Sequence, residues 1–485
     1  MSTANKFDLV IRNGRIATAS DVFEADIGIC DGKVVALAKG LPSGVQEIDA
    51  AGRWVLPGGI DAHCHLDQPT GDDSVMADDF TTGTRSAACG GTTTVIPFAA
   101  QQKGASLEAA VADYHARSDG RAYIDYAFHM IVSDPTKHTV ETELPDLIER
   151  GYTSFKIYMT YDSLKLNDRE ILDVLAVARR EGAMTMVHAE NSDCIAWLTE
   201  YLLSRNMTAP SFHALSRPPV VEREATHRAI SLAEFLDTPV LIVHVSGHEA
   251  ADQIRQAQTR GLRVYGETCP QYLFLTADDL HRDGFEGAKC ICSPPPRDAS
   301  SQQAIWDGLE NGTFQVFSSD HAPFRYDDSA GKKLAGEQGD FSRIPNGIPG
   351  LETRLPLLFS EGVLGGRIDI HKFVSLTATE PAKMYGLYPR KGSICIGADA
   401  DIVIWNTDAS KVIRNADLHH NVDYTPYEGR VVNAWPAITI SRGIKVFEDG
   451  VFVGPAGHGA FLRCERPARA GATRRKKEPF WLPGY

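Results

Sequence analysis

No stretch of the 485 residues approaches the ~18 consecutive apolar residues that a membrane-spanning helix needs. No GxGxxG or Walker pattern follows an early strand, so a nucleotide-binding open sheet is without its usual announcement. Positive charge is scarce: 49 Lys and Arg face 63 Asp and Glu, a net charge of -14, which argues against nucleic acid as the main partner. The one basic run, "RRKK" at Arg474 to Lys477, reads as a solvated segment or a subunit contact. There is no CxxC pair among nine dispersed cysteines, a pattern of reduced thiols that leads us to expect a cytoplasmic protein. Cys290 and Cys292 in "KCICSPPPR" are the closest pair, and on a strand they would share a face. The opening "MSTANKFDLVIRNG" carries one Lys and no apolar signal core, so no secretory peptide is expected.

What is present falls into two styles. The ends carry short alternating runs, "FDLVIRNGRIATA", "EADIGICDGKVVALAKG", "GSICIGADADIVIWN" and "GIKVFEDGVFVG". They are punctuated by Asn13-Gly14, Asp31-Gly32 and Asp449-Gly450, which are hairpin signals. One small sheet domain built from both ends is expected. The middle alternates strand candidates, from "WVLPGGIDAHCHL" through "TSFKIYM", "AMTMVHAE" and "PVLIVHVS" to "FQVFSSDH", with helical patterns such as "DREILDVLAVARREG". Eight such strands over about 270 residues have the length and rhythm of an α/β fold of the (β/α)8 TIM-like barrel type. The expected divisions are residues 1–55 and 386–455 for the end sheet, 56–385 for the barrel and 456–485 for a C-terminal tail.

Polar residues at the C-terminal ends of barrel strands face the mouth where active sites sit. The first strand ends in His63 and His65, which alternation places on one face, with Cys64 turned away as core filling. The fourth carries Lys156, the fifth ends in His188, the sixth in His244 and the eighth in Asp320. Each alone has an ordinary structural explanation, but together they point to coordination. Imidazole and carboxylate suit zinc, with iron, cobalt or manganese admitted by the same ligands. Six groups are too many for one tetrahedral ion that keeps a position open, so two ions are the better count. An ammonium does not ligate. A neutral lysine amine, however, can add carbon dioxide, and the carbamate's two oxygens could bridge two metals; the residues by themselves do not require this.

At these positions the chain resembles the dihydropyrimidinase and hydantoinase group of the cyclic amidohydrolases. The resemblance runs from about Asp8 to about Phe452 through "VLPGGIDAHCHLD", "GTTTVIPF", "SFKIYMTY", "VHAEN", "LIVHVS", "ETCPQYL", "SPPPR", "SDHAPF" and "IPNGIPGLETR". It implies that His63, His65 and Asp320 hold one zinc and His188 and His244 the other, with Lys156 as a bridging N6-carboxylysine. It further implies that Tyr161 bonds the developing oxyanion, that Ser293 and Asn346 orient the ring amide, that the ends form a β-sandwich, and that the subunits form a homotetramer. Pro296 departs from the family, which commonly has leucine there, and the "EPFWLPGY" terminus invites docking on a neighbouring subunit.

The implied reaction is hydrolytic opening of a 5,6-dihydropyrimidine or a hydantoin, 5-substituted or not, to an N-carbamoyl amino acid, with Asp320 moving the proton. His129 reads as packing, His321 equally as structural or as a partner of a ligand or substrate, and Glu222 and Arg223 as charges at a helix start. Two rivals stay open. A sister amidohydrolase such as an allantoinase, dihydroorotase or imidase would share the metal set; for the allantoinase and dihydroorotase substrates a pocket arginine is expected, Arg297 and Arg354 being available. A metal-free scaffold relative would have lost ligands that are all in place here.

Overall fold

The structure is a computed structural model and describes residues 7–70, 73–408 and 410–471. The "RRKK" run and the aromatic terminus lie outside the described residues.

Both ends of the chain meet in a nine-stranded mixed sheet, ordered Val451–Phe452, Ile444–Glu448, Trp435–Ser441, Ile402–Asn406, Trp54–Pro57, Leu9–Ala17, Val22–Cys30 and Lys33–Ala38, with Gln46–Asp49 pairing Leu9–Ala17. Alternation supplies its core: Leu9, Ile11, Ile27, Ile29, Ile402, Ile404 and Ile440 bury on one face. Asp31-Gly32 and Asp449-Gly450 turn the expected hairpins, with both residues of each pair at positive φ. Asn13-Gly14 does not turn the chain. The strand runs straight through it, and the register slips between Ile11 and Gly14 as a β-bulge, with Asn13 at φ 55°. Pairing with Gln46–Asp49 before the pair and with Trp54 and Val55 after it holds the strand extended. Gly14 is required because a Cβ there would stand 2.7 Å from Val55 Cγ2.

The barrel is parallel throughout. A seven-stranded sheet runs Val316–Phe317, Val264–Thr268, Val240–Ile242, Met184–His188, Ser154–Tyr158, His129–Ile131, Phe98–Ala100. A three-stranded sheet of Gly59–Asp61, Thr92–Val95 and Asp125–Tyr126 completes the ring, so the second and third barrel strands each contribute to both sheets. The bridge between Cys64 and His321 ties the last strand's end to the first. Helices cover the outside where the 3.6-residue pattern indicates, Asp168–Glu181 starting at a capping box of Asn167 and Glu170 and ending at Gly182 in the left-handed conformation.

One expectation needs correction here. "KCIC" is not a strand: Glu286–Cys290 is a short 3-10 helix that ends on Cys290, Cys292 follows in the loop, and both cysteines are buried. The segment after Gly457 has little sequence pattern, yet its described part lies along the barrel. Its backbone bonds Gly459 N to Ala122 O, Leu462 N to Tyr126 O and Cys464 N to Gly151 O, and Phe461 packs against His115 and Phe128.

Candidate metal centre

His63 and His65 lie just beyond Gly59–Asp61 rather than inside the strand. Their same-side placement comes from closure of the barrel: His65 N donates to His321 O at 2.7 Å, and Cys64 bridges to His321 while its side chain buries in the core. The two rings stand 5.6 Å apart, and Phe98 packs 5.0 Å from each. Asp320 Oδ1 is 3.2 Å from His63 Nε2 and 3.5 Å from His65 Nε2. The ligand atoms of His63, His65 and Asp320 all fall within 4.8 Å of one another, close enough to share one cation.

A second pair adjoins this group. His188 Nδ1 and His244 Nε2 are 2.8 Å apart, and the His244 ring is 5.4 Å from that of His63. Lys156 Nζ reaches in from Ser154–Tyr158 to 2.7 Å from His63 Nε2, over the rings of Phe98 and Tyr158. Burial brings Lys156 down to about 8, with Asp320 and Glu267 opposing. It thereby favours the neutral amine that carbon dioxide addition requires. Burial likewise drives His63, His188 and His244 below the ordinary imidazole value, so the rings face inward as neutral lone-pair donors. Burial alone would raise Asp320, but His63 and His65 hold it below the usual carboxylate range.

Three acceptors absent from the sequence-based reading fix three of the four imidazoles. Glu267 Oε1 sits 2.6 Å from His63 Nδ1, Gln68 Oε1 2.6 Å from His65 Nδ1, and Glu190 Oε2 2.8 Å from His188 Nε2. In each case the nitrogen bonded outward is the one not facing the centre, the arrangement that orients metal-binding histidines. Glu267 closes the seventh barrel strand with Thr268, so the strand-end rule used for the other residues extends to it. Glu190 is two residues past His188; hydrogen bonds from His188 and Ser293, with Arg217 nearby, overcome its burial and hold it at about 2.

A cavity of about 540 Å³ opens over this cluster. Its wall includes His65, Lys156, His188, His244 and Asp320, with Tyr161, Ser293 and Asn346 above them, while His63 lies beneath, fully buried. Asn346 Nδ2 donates to Tyr161 Oη at 3.4 Å, and Ser293 Oγ donates to Glu190 at 2.6 Å. Three of these residues adopt left-handed φ without being glycine: Tyr161 at 67°, His244 at 39° and Asp320 at 48°. Such backbone is uncommon and concentrates at functional sites.

The other residues singled out earlier lie elsewhere. His129 is a structural residue, its ring nitrogens bonded to Ser154 Oγ and Ala62 O, and burial takes it to about 3. His321 turns from the cavity, bonding Asp78 at 3.2 Å and accepting from Gly350 N at 3.1 Å, which resolves its role as structural. Glu222 is in the first turn of Pro219–Leu236 but is buried against Arg297 at 3.0 Å, whereas Arg223 pairs with Glu249 at the surface. Arg297 is thus occupied, and Arg354 is buried among Asp61, Ile60 O and Phe317 O. The arginine that does line the cavity is Arg343.

Residues 54–446 match the model of the amidohydrolase family. The D-hydantoinase of Geobacillus stearothermophilus is 46% identical over 458 residues, covering 94% of this chain and 96% of that protein. The D-hydantoinase of Ralstonia pickettii is 44% identical over 457 residues, covering 94% and 98%. Among solved structures, dihydropyrimidinase from Brevibacillus agri superposes with a TM-score of 0.92 at 44% identity, over 95% of this chain and 99% of that one. With a histidine-rich centre at the mouth of a parallel barrel and relatives matched along nearly their whole length, this chain belongs to the amidohydrolase family.

Proposed function

We propose that the protein hydrolyses the ring amide of hydantoins and 5,6-dihydropyrimidines to N-carbamoyl amino acids. The observation that carries this reading is the convergence of His63, His65, Lys156, His188, His244 and Asp320 beneath one cavity, in a chain whose relatives are named for those rings. The donor set suits two divalent cations: His63, His65 and Asp320 would hold one, His188 and His244 the other, with Lys156 between them as N6-carboxylysine. Zinc is the proposed metal. When bound, such a pair supplies Lewis acidity and lowers the pKa of water from ~16 toward ~7.

The protein's own groups do the rest. Asp320, ionised through His63 and His65, takes the proton of the attacking water and delivers it to the leaving ring nitrogen. Burial raises Tyr161 to about 12, so its phenol stays protonated and donates a hydrogen bond to the oxyanion that forms on the ring carbonyl. Ser293 and Asn346 orient the amide against it. Pro69, Met76, Leu164 and Phe324 give the cavity an apolar wall on which a 5-substituent would lie. A homotetramer and a cytoplasmic location complete the reading and rest on the family resemblance and on the dispersed thiols.

The test is ring opening by the purified, metal-loaded chain on hydantoin, dihydrouracil, dihydroorotate and allantoin, with chiral analysis of products from 5-substituted hydantoins. Hydantoin and dihydrouracil should open. Turnover of dihydroorotate or allantoin alone, or full speed after metal removal, would overturn the assignment.

A further inference from the structure

Lys332 is fully buried, and its ammonium donates to two backbone carbonyls, Ile291 O at 2.9 Å and Pro345 O at 2.7 Å. Ile291 stands two residues before Ser293, and Pro345 immediately precedes Asn346. The two acceptors therefore belong to the two separate segments that carry the proposed ring-amide contacts. Those segments also meet directly, Gly347 N donating to Ile291 O at 3.1 Å. The lysine is itself anchored, its backbone N bonded to Arg325 O at 2.8 Å. Leu334, Ser342, Arg343 and Ile344, which follow it in the chain, line the same cavity wall.

Burying a cation is costly unless its donors are met, and here two backbone carbonyls meet them. Because those acceptors belong to the chain itself, the lysine's donors act on the placement of the two segments that carry them. Burial lowers it to about 7, the thiols of Cys290 and Cys292 opposing. A neutral amine still has two N–H groups, one for each carbonyl, so the link persists in both protonation states.

We propose that Lys332 is a positioning residue for ring opening, tying the Ser293 segment to the Asn346 segment and so setting the spacing of the groups that hold the ring amide. This rests on the function proposed above. It predicts an effect on substrate docking, without change at the metal centre.

The experiment compares metal-loaded wild type, Lys332→Met and Lys332→Arg for kcat and KM on hydantoin, bound metal and thermal unfolding. Lys332→Met should raise KM about tenfold, the order of one misplaced hydrogen bond to the ring amide, with bound metal unchanged. Lys332→Arg should recover part of it. The proposal is overturned if KM for Lys332→Met stays within about twofold of wild type, below the effect of one lost hydrogen bond. It is equally overturned if activity falls only in step with folded protein or bound metal, or if neither variant accumulates in folded form. A wild type that opens none of the four rings would instead refute the function itself, so the two failures are distinguishable.

Discussion

His63 Nδ1 and Glu267 Oε1 lie 2.6 Å apart with both side chains fully buried, although 204 residues separate them in sequence. The same carboxylate oxygen accepts from His244 N at 3.1 Å, so one acid steadies residues from both halves of the centre. Burial pushes His63 well below the ordinary imidazole value, so its ring is neutral. Placing their shared proton on Nδ1 leaves Nε2 as a lone-pair donor facing inward. Glu267→Leu removes the acceptor while keeping bulk. It should weaken metal retention about 10–100-fold, read by chelator competition, and unchanged retention would refute the orienting role.

Lys156→Ala should lose both bound metal and ring opening. Metal analysis of the purified variant decides the matter: two ions per chain with normal turnover would rule out a bridging lysine.

Tyr161→Phe should keep its metals and lose about a hundredfold in turnover, the usual cost of one oxyanion donor. Measured at saturating substrate with chemistry rate-limiting, an unaltered kcat would remove Tyr161 from the mechanism.

The buried Glu222–Arg297 pair concerns stability. Glu222 also accepts from Ser246 N at 2.9 Å, two residues beyond His244. Glu222→Ala leaves a guanidinium buried without its partner, which should destabilise by ~3–5 kcal/mol. The double variant Glu222→Leu with Arg297→Met should recover much of that. Urea midpoints that do not move on the single change would contradict this account.

Acid sensitivity follows from His129 and His213, each taken by burial to about 3. Below their unfolded value of ~6.5 the unfolded chain binds protons that the folded chain excludes. Stability is therefore complete above that pH and falls as pH drops toward the folded value, by up to ~1.4 kcal/mol per pH unit for each histidine. His213→Gln should flatten the decline between pH 6.5 and 4. An identical slope in wild type and variant would show that His213 does not drive it.

The barrel rhythm, the end sheet and the histidine, lysine and aspartate set were legible because each depends on local order. A strand's polar terminus marks the barrel mouth, and alternation over a few residues marks a half-buried strand. His129 shows where a local rule stops. It sits at a barrel strand in sequence, but its ring is committed to Ser154 and Ala62. Asn13-Gly14 is an equally strong turn signal that pairing on either side converts into a bulge.

By itself the sequence determined which strand ends carry the histidines, the lysine and the aspartate, since a strand end is written within a dozen residues, whereas barrel closure set His63 and His65 on one side. The tertiary structure alone decided which acceptors turn three of the four rings: Gln68 for His65, Glu190 for His188, Glu267 for His63. It also decided that Arg297 and Arg354 are spent on buried partners, and that Lys332 joins two segments over the cavity. The reason is range. Periodicity acts between neighbours along the chain, whereas the hydrogen-bond partner of a buried polar group is whatever barrel closure brings within about 3 Å.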